Sequence, residues 1–541
     1  MTLLSVGASG LAAAYAAINA TSHNISNVNT PGYSKQQAVQ TNMPGQFSGA
    51  GFIGRGVAVE TIRRAYSDQI NAQVQFTQSQ SAEASAQSTL MKAVDKLFAV
   101  DDIGVGAAMD QFFTSLTEAS SRPADMAARG AVISSGQGLS TRLNQTVGLL
   151  DEQGRNVDLG IRATVSQINT LAQKIGRLND AIALGQGTGQ IPNDLLDQRD
   201  EMLRQLNEQV GVSTLAQSDG SLNVFLSSGI ALVMGNTPAP LSISFDPADP
   251  QRQLVGVRST SASGNGDITL SASSLSGGAL AGQMKFRDIN LVDAKNELGR
   301  LATAIAAQFN AVHVGGTNMY GATGTSLFTL PSPVAYPSSL NTGSGAVSVA
   351  VSISSAIKPS DYRIDFDGTN YAITRLQDGS QTVTAGLPAT VDGLTISLAG
   401  TPNPGDSFQL QPVRNAAAGL QMGFTDPKLL AFGQSNAVGD NRNALLLAQI
   451  ADQTVLGGLT FAQAFGEITA KVGTVTQGLE ISASINDKLS QQALADQSSV
   501  SGVNLDEEAA NLIRYQQAYQ ASAKVIAAAQ TIFQTLLDMG R

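Results

Sequence analysis

The chain has 541 residues, no cysteine, no tryptophan, two histidines and a net charge of −10. Disulfide frameworks and thiolate chemistry are excluded, and no basic footprint for nucleic acid or an anionic membrane is present. Charged residues make up 14% of the chain, against about 25% in an ordinary globular protein, so Ser, Thr, Gln, Asn and Gly must supply much of the surface.

Residues 1–28 read as a helix. Leu4, Leu11, Ile18 and Ile25 recur every seven residues, with Gly7, Ala14, Thr21 and Val28 at the second seam position. A heptad of this kind lays a narrow apolar stripe along one side of a helix and requires a partner helix. The first charged side chain is Lys35, so the apolar run Leu11–Ile18 lacks the basic flank of a signal peptide. No segment reads as membrane-spanning: Val525–Leu537, the longest uncharged apolar stretch near the end, is too short. The run Asn24-Ile25-Ser26-Asn27-Val28-Asn29-Thr30-Pro31-Gly32-Tyr33 ends the helix, and Pro31-Gly32 suits the middle of a type II turn. A glycine-rich stretch follows (Gly45, Gly49, Gly51, Gly54, Gly56), then Val57, Val59 and Ile62 in alternation. This predicts extended structure leading to a helix that starts near Tyr66.

From about 66 to 210 the pattern is helical. Ile161, Ile168, Ile175 and Ile182 repeat every seven residues, Leu171 and Leu178 share their face, Gly185–Gly189 breaks the run, and Asn193 is the expected cap of the next helix. Residues 211–275 turn to β, with Asp219-Gly220 as a hairpin signal. Helix returns over about 284–312. Residues 345–412 carry the clearest strand alternation, in Val347/Val349/Val351, Tyr362/Ile364/Phe366 and Leu394/Ile396/Leu398. Helix resumes from about 442 to 538. There Leu505, Leu512, Tyr519, Ile526 and Phe533 recur every seven residues, with Tyr515, Ser522, Ala529 and Leu536 between them. Alanines and glutamines cover the rest of this last helix where Lys and Glu are usual, which suits close packing on several sides.

The expected fold is mainly α with β insertions: an elongated multidomain rod. Its parts are a terminal coiled-coil assembly domain (1–65 plus 500–541), a helical body (66–330 plus 413–499, β-rich at about 211–275) and an inserted outer β domain (331–412). Heptads at both ends fit an intramolecular helix pair and an assembly interface equally well, because a seam specifies a partner helix and not the chain that supplies it.

No catalytic, cofactor-binding or metal site is assigned. His23 and His313 are read as structural, since a triad also needs a nucleophile and an orienting group. Asp365-Phe366-Asp367-Gly368 lacks the further ligands and closing Glu of a calcium loop and is read as a hairpin tip. Gly51–Gly56 has neither a dinucleotide-binding unit around it nor a Walker lysine after it. The acidic pairs Asp101-Asp102 and Glu507-Glu508 are of the kind chance produces, and the second suits the dipole at the start of the last helix.

The segment Asn24–Ser34, with Asn24, Asn27, Asn29, Thr30, Pro31, Gly32 and Tyr33, resembles the N-terminal signature of the flagellar axial proteins of rod, hook and hook-associated type. The run Ser501–Tyr519 closely resembles the hook-associated protein 1 family of hook–filament junction proteins. Asn193–Asp200, Ser360–Arg375 and Gly439–Asn443 also resemble that family. The resemblance implies a structural protein without enzymatic activity or cofactor. It implies terminal helices that line an inner tube, with Leu4, Leu11, Ile18, Ile25, Leu505, Leu512, Tyr515, Tyr519, Ile526, Phe533 and Leu536 as the assembly interface. Its implied partners are further copies of the chain, the hook protein, hook-associated protein 3 and an export chaperone at the C-terminal region, with no nucleic acid and no membrane insertion. The implied location is the extracellular flagellum, reached by type III export without a cleaved signal peptide. The alternatives are another axial protein of hook or distal rod type, against which the wording of Leu505–Tyr519 argues, and a secreted adhesin or carbohydrate-active protein. The latter needs a carboxylate pair or aromatic platform in the β segment, and none stands out.

Overall fold

The structure is a computed structural model that describes residues 2–48, 51–99, 104–187, 191–258 and 267–540. Gly49, the Asp101-Asp102 pair and Gly189 lie outside the described residues. Helix α1 (Thr2–Asn27) is followed by β1 (Gln36–Asn42), a small flap of β2 (Gln46–Ser48) and β3 (Gly51–Ile53), and β4 (Val57–Arg64). β1 and β4 pair antiparallel, Gln36 opposite Arg64, with a bulge at Val39/Gln40. The hairpin lies back along α1. The helical segment predicted over 66–210 resolves into α2 (Asp68–Phe98), α3 (Val105–Ser121), α4 (Met126–Gly187) and α5 (Asn193–Gln209). With 62 residues, α4 spans roughly 93 Å at 1.5 Å per residue.

The β-rich part of the body holds β5 (Val212–Ala216), β6 (Leu222–Leu226), β7 (Ala231–Met234), β8 (Thr237–Pro238), β9 (Leu241–Asp246), β10 (Asp249–Arg258) and β11 (Asp267–Leu270). They form two antiparallel sheets, ordered β5-β6-β7-β8 and β11-β10-β9. Gly220 takes φ +83° between β5 and β6, the left-handed conformation that Asp-Gly turns favour. Helix α6 (Gly278–Lys285) runs through a π-helical turn at Phe286–Asn290 into α7 (Leu291–Val314).

These elements share one core. Ile161, Ile168 and Ile175 of α4 are fully buried in it, with Val224, Val233 and Val255 of the sheets and a cluster of Phe112, Phe309 and Phe328, and Ile182 is fully buried beyond that core. Each such side chain contributes roughly 1.5–3 kcal/mol on burial, before entropy. His313 is also buried. Its Nδ1 bonds the Thr325 carbonyl and its Nε2 accepts the Ala431 N–H at 2.9 Å, so the ring is a neutral strut. Burial holds its pKa below the usual value, with Arg129 adding to the effect.

After β12 (Phe328–Thr329) the chain enters the inserted domain: β13 (Val334–Pro337), β14 (Ala346–Val351), β15 (Tyr362–Phe366), β16 (Tyr371–Arg375), β17 (Gln381–Thr384), β18 (Ala389–Val391), β19 (Leu394–Ala399) and β20 (Ser407–Gln411). Two sheets, ordered β13-β20-β15-β16-β17 and β14-β19-β18, enclose a second core of Tyr362, Ile364, Ile373, Ile396, Phe408 and Leu410. Tyr362, Ile364 and Ile396 are inward members of the alternation read in the sequence. Asp367-Gly368 is a hairpin tip, where the Asp367 carboxylate accepts the N–H groups of Thr369 and Asn370. β21 (Gln421–Met422), α8 (Arg442–Gln449), α9 (Phe461–Ser501) and α10 (Leu505–Met539) complete the chain. α9 runs antiparallel to α2, with Lys92 on Glu480 at 3.1 Å near one end and Gln497 bonded to Asn71 near the other. This pair links the body to the terminal unit.

Two sequence expectations are corrected. Asn193 is the first residue of α5 rather than its cap, and its side chain instead donates to the Ile62 carbonyl of β4 at 2.7 Å. And one segment is long and apolar enough, by length and composition, to cross a membrane: Leu3–Asn27, with mean hydropathy 1.4. Within it Ala13, Ala14, Ala17 and Ala20 bury against protein.

Candidate functional site

The two chain ends meet as an antiparallel helix pair. Gly7 of α1 faces Ile526 of α10, Gly10 faces Ser522, and Asn24 bonds Glu508. The buried stripe of α1 is Gly7, Ala14, Thr21 with Ala13, Ala17, Ala20 and Asn24. The seam is therefore carried by the small residues. A Cβ on Gly7 would stand 2.8 Å from Ile526 Cγ1, so glycine sets how closely the helices approach. Of the large residues in the predicted stripes, Leu11, Ile18, Ile25, Leu512, Tyr515 and Ile526 are half-buried. Leu4, Leu505, Tyr519, Phe533 and Leu536 are exposed, Phe533 by 65%. In this register the turns of α10 that carry Phe533 and Leu536 run past the first residue of α1.

At the other end of the pair sits a polar hub built on the turn motif. Tyr33 N–H bonds the Thr30 carbonyl at 3.2 Å, closing a turn in which Gly32 has φ +78°. A side chain at Gly32 would be strained there and would also meet Glu201 Cβ at 2.9 Å. Asn24 uses its whole amide. Nδ2 donates to the Gln36 carbonyl and to Glu508 Oε2, both at 2.9 Å, while Oδ1 accepts Gln36 N–H at 2.8 Å and Tyr33 O–H at 2.7 Å. His23 stands 3.1 Å from the Tyr33 hydroxyl. Asn27 and Thr30 bond each other, and Asn27 also bonds the His23 carbonyl. Asn29 and Pro31 are exposed.

Charges tie this turn to both α10 and α5. Lys35, its side chain 9% exposed, lies 2.7 Å from Glu507 and 3.3 Å from Glu508. Burial opposes the Lys35 charge, but the bonds to Glu507 and Glu508 outweigh it and raise its pKa. Ser34 N–H donates to Asp197 at 3.0 Å and Gln36 to Asp194 at 2.9 Å. Arg64 bridges Asp197 at 2.9 Å and Asp200 at 2.6 Å and stacks over Tyr66. Burial, with Asp194, Asp197 and Glu508 nearby, pushes the Tyr33 phenol up. The hub thus joins α1, the hairpin, α5 and α10. An open groove of about 620 Å³ beside it is lined by His23, Pro31 and Tyr33 on one side and Lys174, Arg177 and Glu201 on the other.

Sequence reading reached the turn residues but missed the charges that hold them. Glu507-Glu508, read as helix-dipole partners, are the counter-ions of Lys35 and the partner of Asn24, 484 residues away. The one available signal was Lys35 itself, the first charge in the chain. Among the described residues no group of His, Asp and Glu is placed to hold a metal ion.

Comparison with known proteins fits this geometry part by part. A model described as the flagellar hook-associated protein FlgK helical domain matches residues 91–328, and one for the D2-like domain of flagellar hook-associated protein 1 matches 336–412. Models of the flagella basal body rod protein and of the FlgEFG C-terminal region match 4–33 and 494–539, the two halves of the hub. Flagellar hook-associated protein 1 of Escherichia coli K12 is 36% identical over 99% of this chain and 100% of its own. That of Salmonella typhimurium LT2 is also 36% identical, over 99% and 100%, and that of Bacillus subtilis 168 is 24% identical over 98% and 95%. The solved flagellar hook junction protein FlgK of Burkholderia pseudomallei superposes with a TM-score of 0.74 at 25% identity, covering 80% of this chain and 100% of that one.

Fold and joined ends define a structural axial protein of the bacterial flagellum. The chain belongs to the flagellar hook-associated protein 1 family, whose members form the junction between hook and filament.

Proposed function

We propose that the α1/α10 pair is a half-finished interface, completed by neighbouring copies of the chain to build the inner wall of the junction tube. The observation that carries this reading is the exposure of Leu4, Leu505, Tyr519, Phe533 and Leu536 on helices whose seam has small residues on its α1 side. Helices gain most of their stability from packing, and exposed apolar stripes of this kind mark interaction surfaces. In the free monomer the ends fray, so limited proteolysis trims both while sparing the body. The axial neighbours are the hook protein below and hook-associated protein 3 above, and before assembly an export chaperone covers the C-terminal region. The chain leaves the cell unfolded through the type III channel without a cleaved signal and works outside it.

Ile526→Asp and Phe533→Asp test the interface on purified hooks. Both leave the melting of the body unchanged and abolish the junction zone. Because Phe533 is exposed in the monomer, its substitution changes monomer stability by no more than about 0.5 kcal/mol. A normal junction built from either variant would refute the reading.

A further inference from the structure

The inserted β domain connects to the body by two strands of chain, a topology that permits a freely hinged appendage. The contacts at its base argue otherwise. Arg414, just beyond β20, pairs with Asp361, the residue before β15, and reaches Asp249, the first residue of β10 in the body, at 3.4 Å. Gln411 of β20 donates to the same Asp249 carboxylate at 2.9 Å. The Asp361 and Asp249 side chains are 1% and 5% exposed. A second chain of charges lies beside the first. Arg252 of β10 meets Asp288 at 3.1 Å, Asp288 meets Arg287 at 2.7 Å, and Arg287 reaches Asp158 of α4 at 3.0 Å. Arg287 and Asp288 stand side by side within the π-helical turn at Phe286–Asn290, and their side chains are 8% and 9% exposed.

The backbone adds an independent constraint. The Val413 carbonyl sits so close to Gly299 of α7 that a Cβ there would overlap it, and in the β13–β14 loop of the insert Ser339 N–H bonds the Pro247 carbonyl of the body at 2.8 Å. The insertion is therefore pinned to the body at two places, the link after β20 and the β13–β14 loop.

We infer that this base is a clamp that fixes the inserted domain to the long helix α4 as one rigid arm, with Arg414 as its central pin. Buried ion pairs are little screened by salt and lose heavily when one partner is removed, and two discrete attachments leave no single hinge. The outward face of the domain is then presented at a fixed angle to the tube axis, and load applied to it passes through Arg414, Arg252 and Arg287 into α4.

The full chain suits a direct test because it has no cysteine of its own. Spin labels are placed at Gly148→Cys on α4, where a side chain meets nothing within 4 Å, and at Thr382→Cys on β17, which is exposed. Pulsed electron resonance then reads the distance between the two domains. The clamp predicts a single narrow distribution in the otherwise unchanged chain. Arg414→Met and Gly299→Ala each broaden it, the first through the charges and the second through the backbone seat. Arg363→Gln, which breaks the exposed Arg363–Asp365 pair of the insert, leaves it narrow. Should Arg414→Met fail to fold, Arg414→Met with Asp249→Asn and Asp361→Asn leaves none of the three charges behind and carries the same reading. A broad distribution in the unchanged chain, or a narrow one in folded Arg414 and Gly299 variants, overturns the clamp.

Discussion

The same heptad produces opposite results in α4 and α10. In α4, Ile161, Ile168, Ile175 and Ile182 are all fully buried. In α10, of 35 residues, Glu508 alone is buried among those described, while Phe533, Leu536 and Leu537 face outward. A seven-residue repeat states that a helix wants neighbours. Whether the chain supplies them depends on what lies opposite, and α10 faces a slender helix of glycine and alanine. One region is finished by its own chain; the other keeps large apolar side chains exposed.

Three experiments sharpen that contrast, from the largest expected effect downward. Ile168→Asp places an unpaired charge in a fully buried seam. It should cost more than about 4 kcal/mol and abolish the cooperative melting of the body, read by circular dichroism. A comparable charge on the outward face of α10 should leave that transition in place. Lys35→Met strands the buried Glu508 carboxylate with only Asn24 as a partner. About 3–5 kcal/mol should be lost locally: hydrogen exchange at 20–36 and 505–512 accelerates while the body melts as before. If the body transition also falls, the hub and the body are one cooperative unit and the contrast fails.

The smallest effect is a pH dependence confined to the body. The folded pKa of His313 lies below its ordinary value of 6.5 because burial disfavours the charged ring. The unfolded chain therefore binds the proton more readily, and stability is complete above about pH 6.5 and declines as pH falls below it. His313→Gln should flatten the body's melting temperature between neutral and mildly acidic pH relative to the unchanged chain. An equal slope in both would show that the ring does not titrate on unfolding.

What could be read from the sequence divides along similar lines. The isoleucine repeat of α4 and the Tyr362/Ile364 alternation were legible because large apolar side chains at a fixed period mark a buried face wherever they occur. Thr30-Pro31-Gly32-Tyr33 was legible because its turn is local chemistry. The seam of α1 was legible in part: Gly7, Ala14 and Thr21 stood at the second seam position and are buried, but Ala13, Ala17 and Ala20 leave no trace in a count of large hydrophobic residues. Asn193 was misread as a cap because capping is the commonest use of Asn at a helix start, whereas its real partner, the Ile62 carbonyl, lies on the hairpin. Lys35, Arg64, Asp197 and Glu508 were invisible as a group, since no local rule connects positions so far apart.

The bond between Asn24 and Glu508 spans nearly the whole chain. Contacts of such separation form late, after the segments between them have collapsed. The hub therefore acts as a certificate of completeness. A chain cut just before Leu505 keeps every element of its helical body and its β domain, but it has nothing to place against Asn24 and Lys35 and no second helix for the Gly7 seam. Building this surface from first and last residues together means that a truncated copy lacks it altogether.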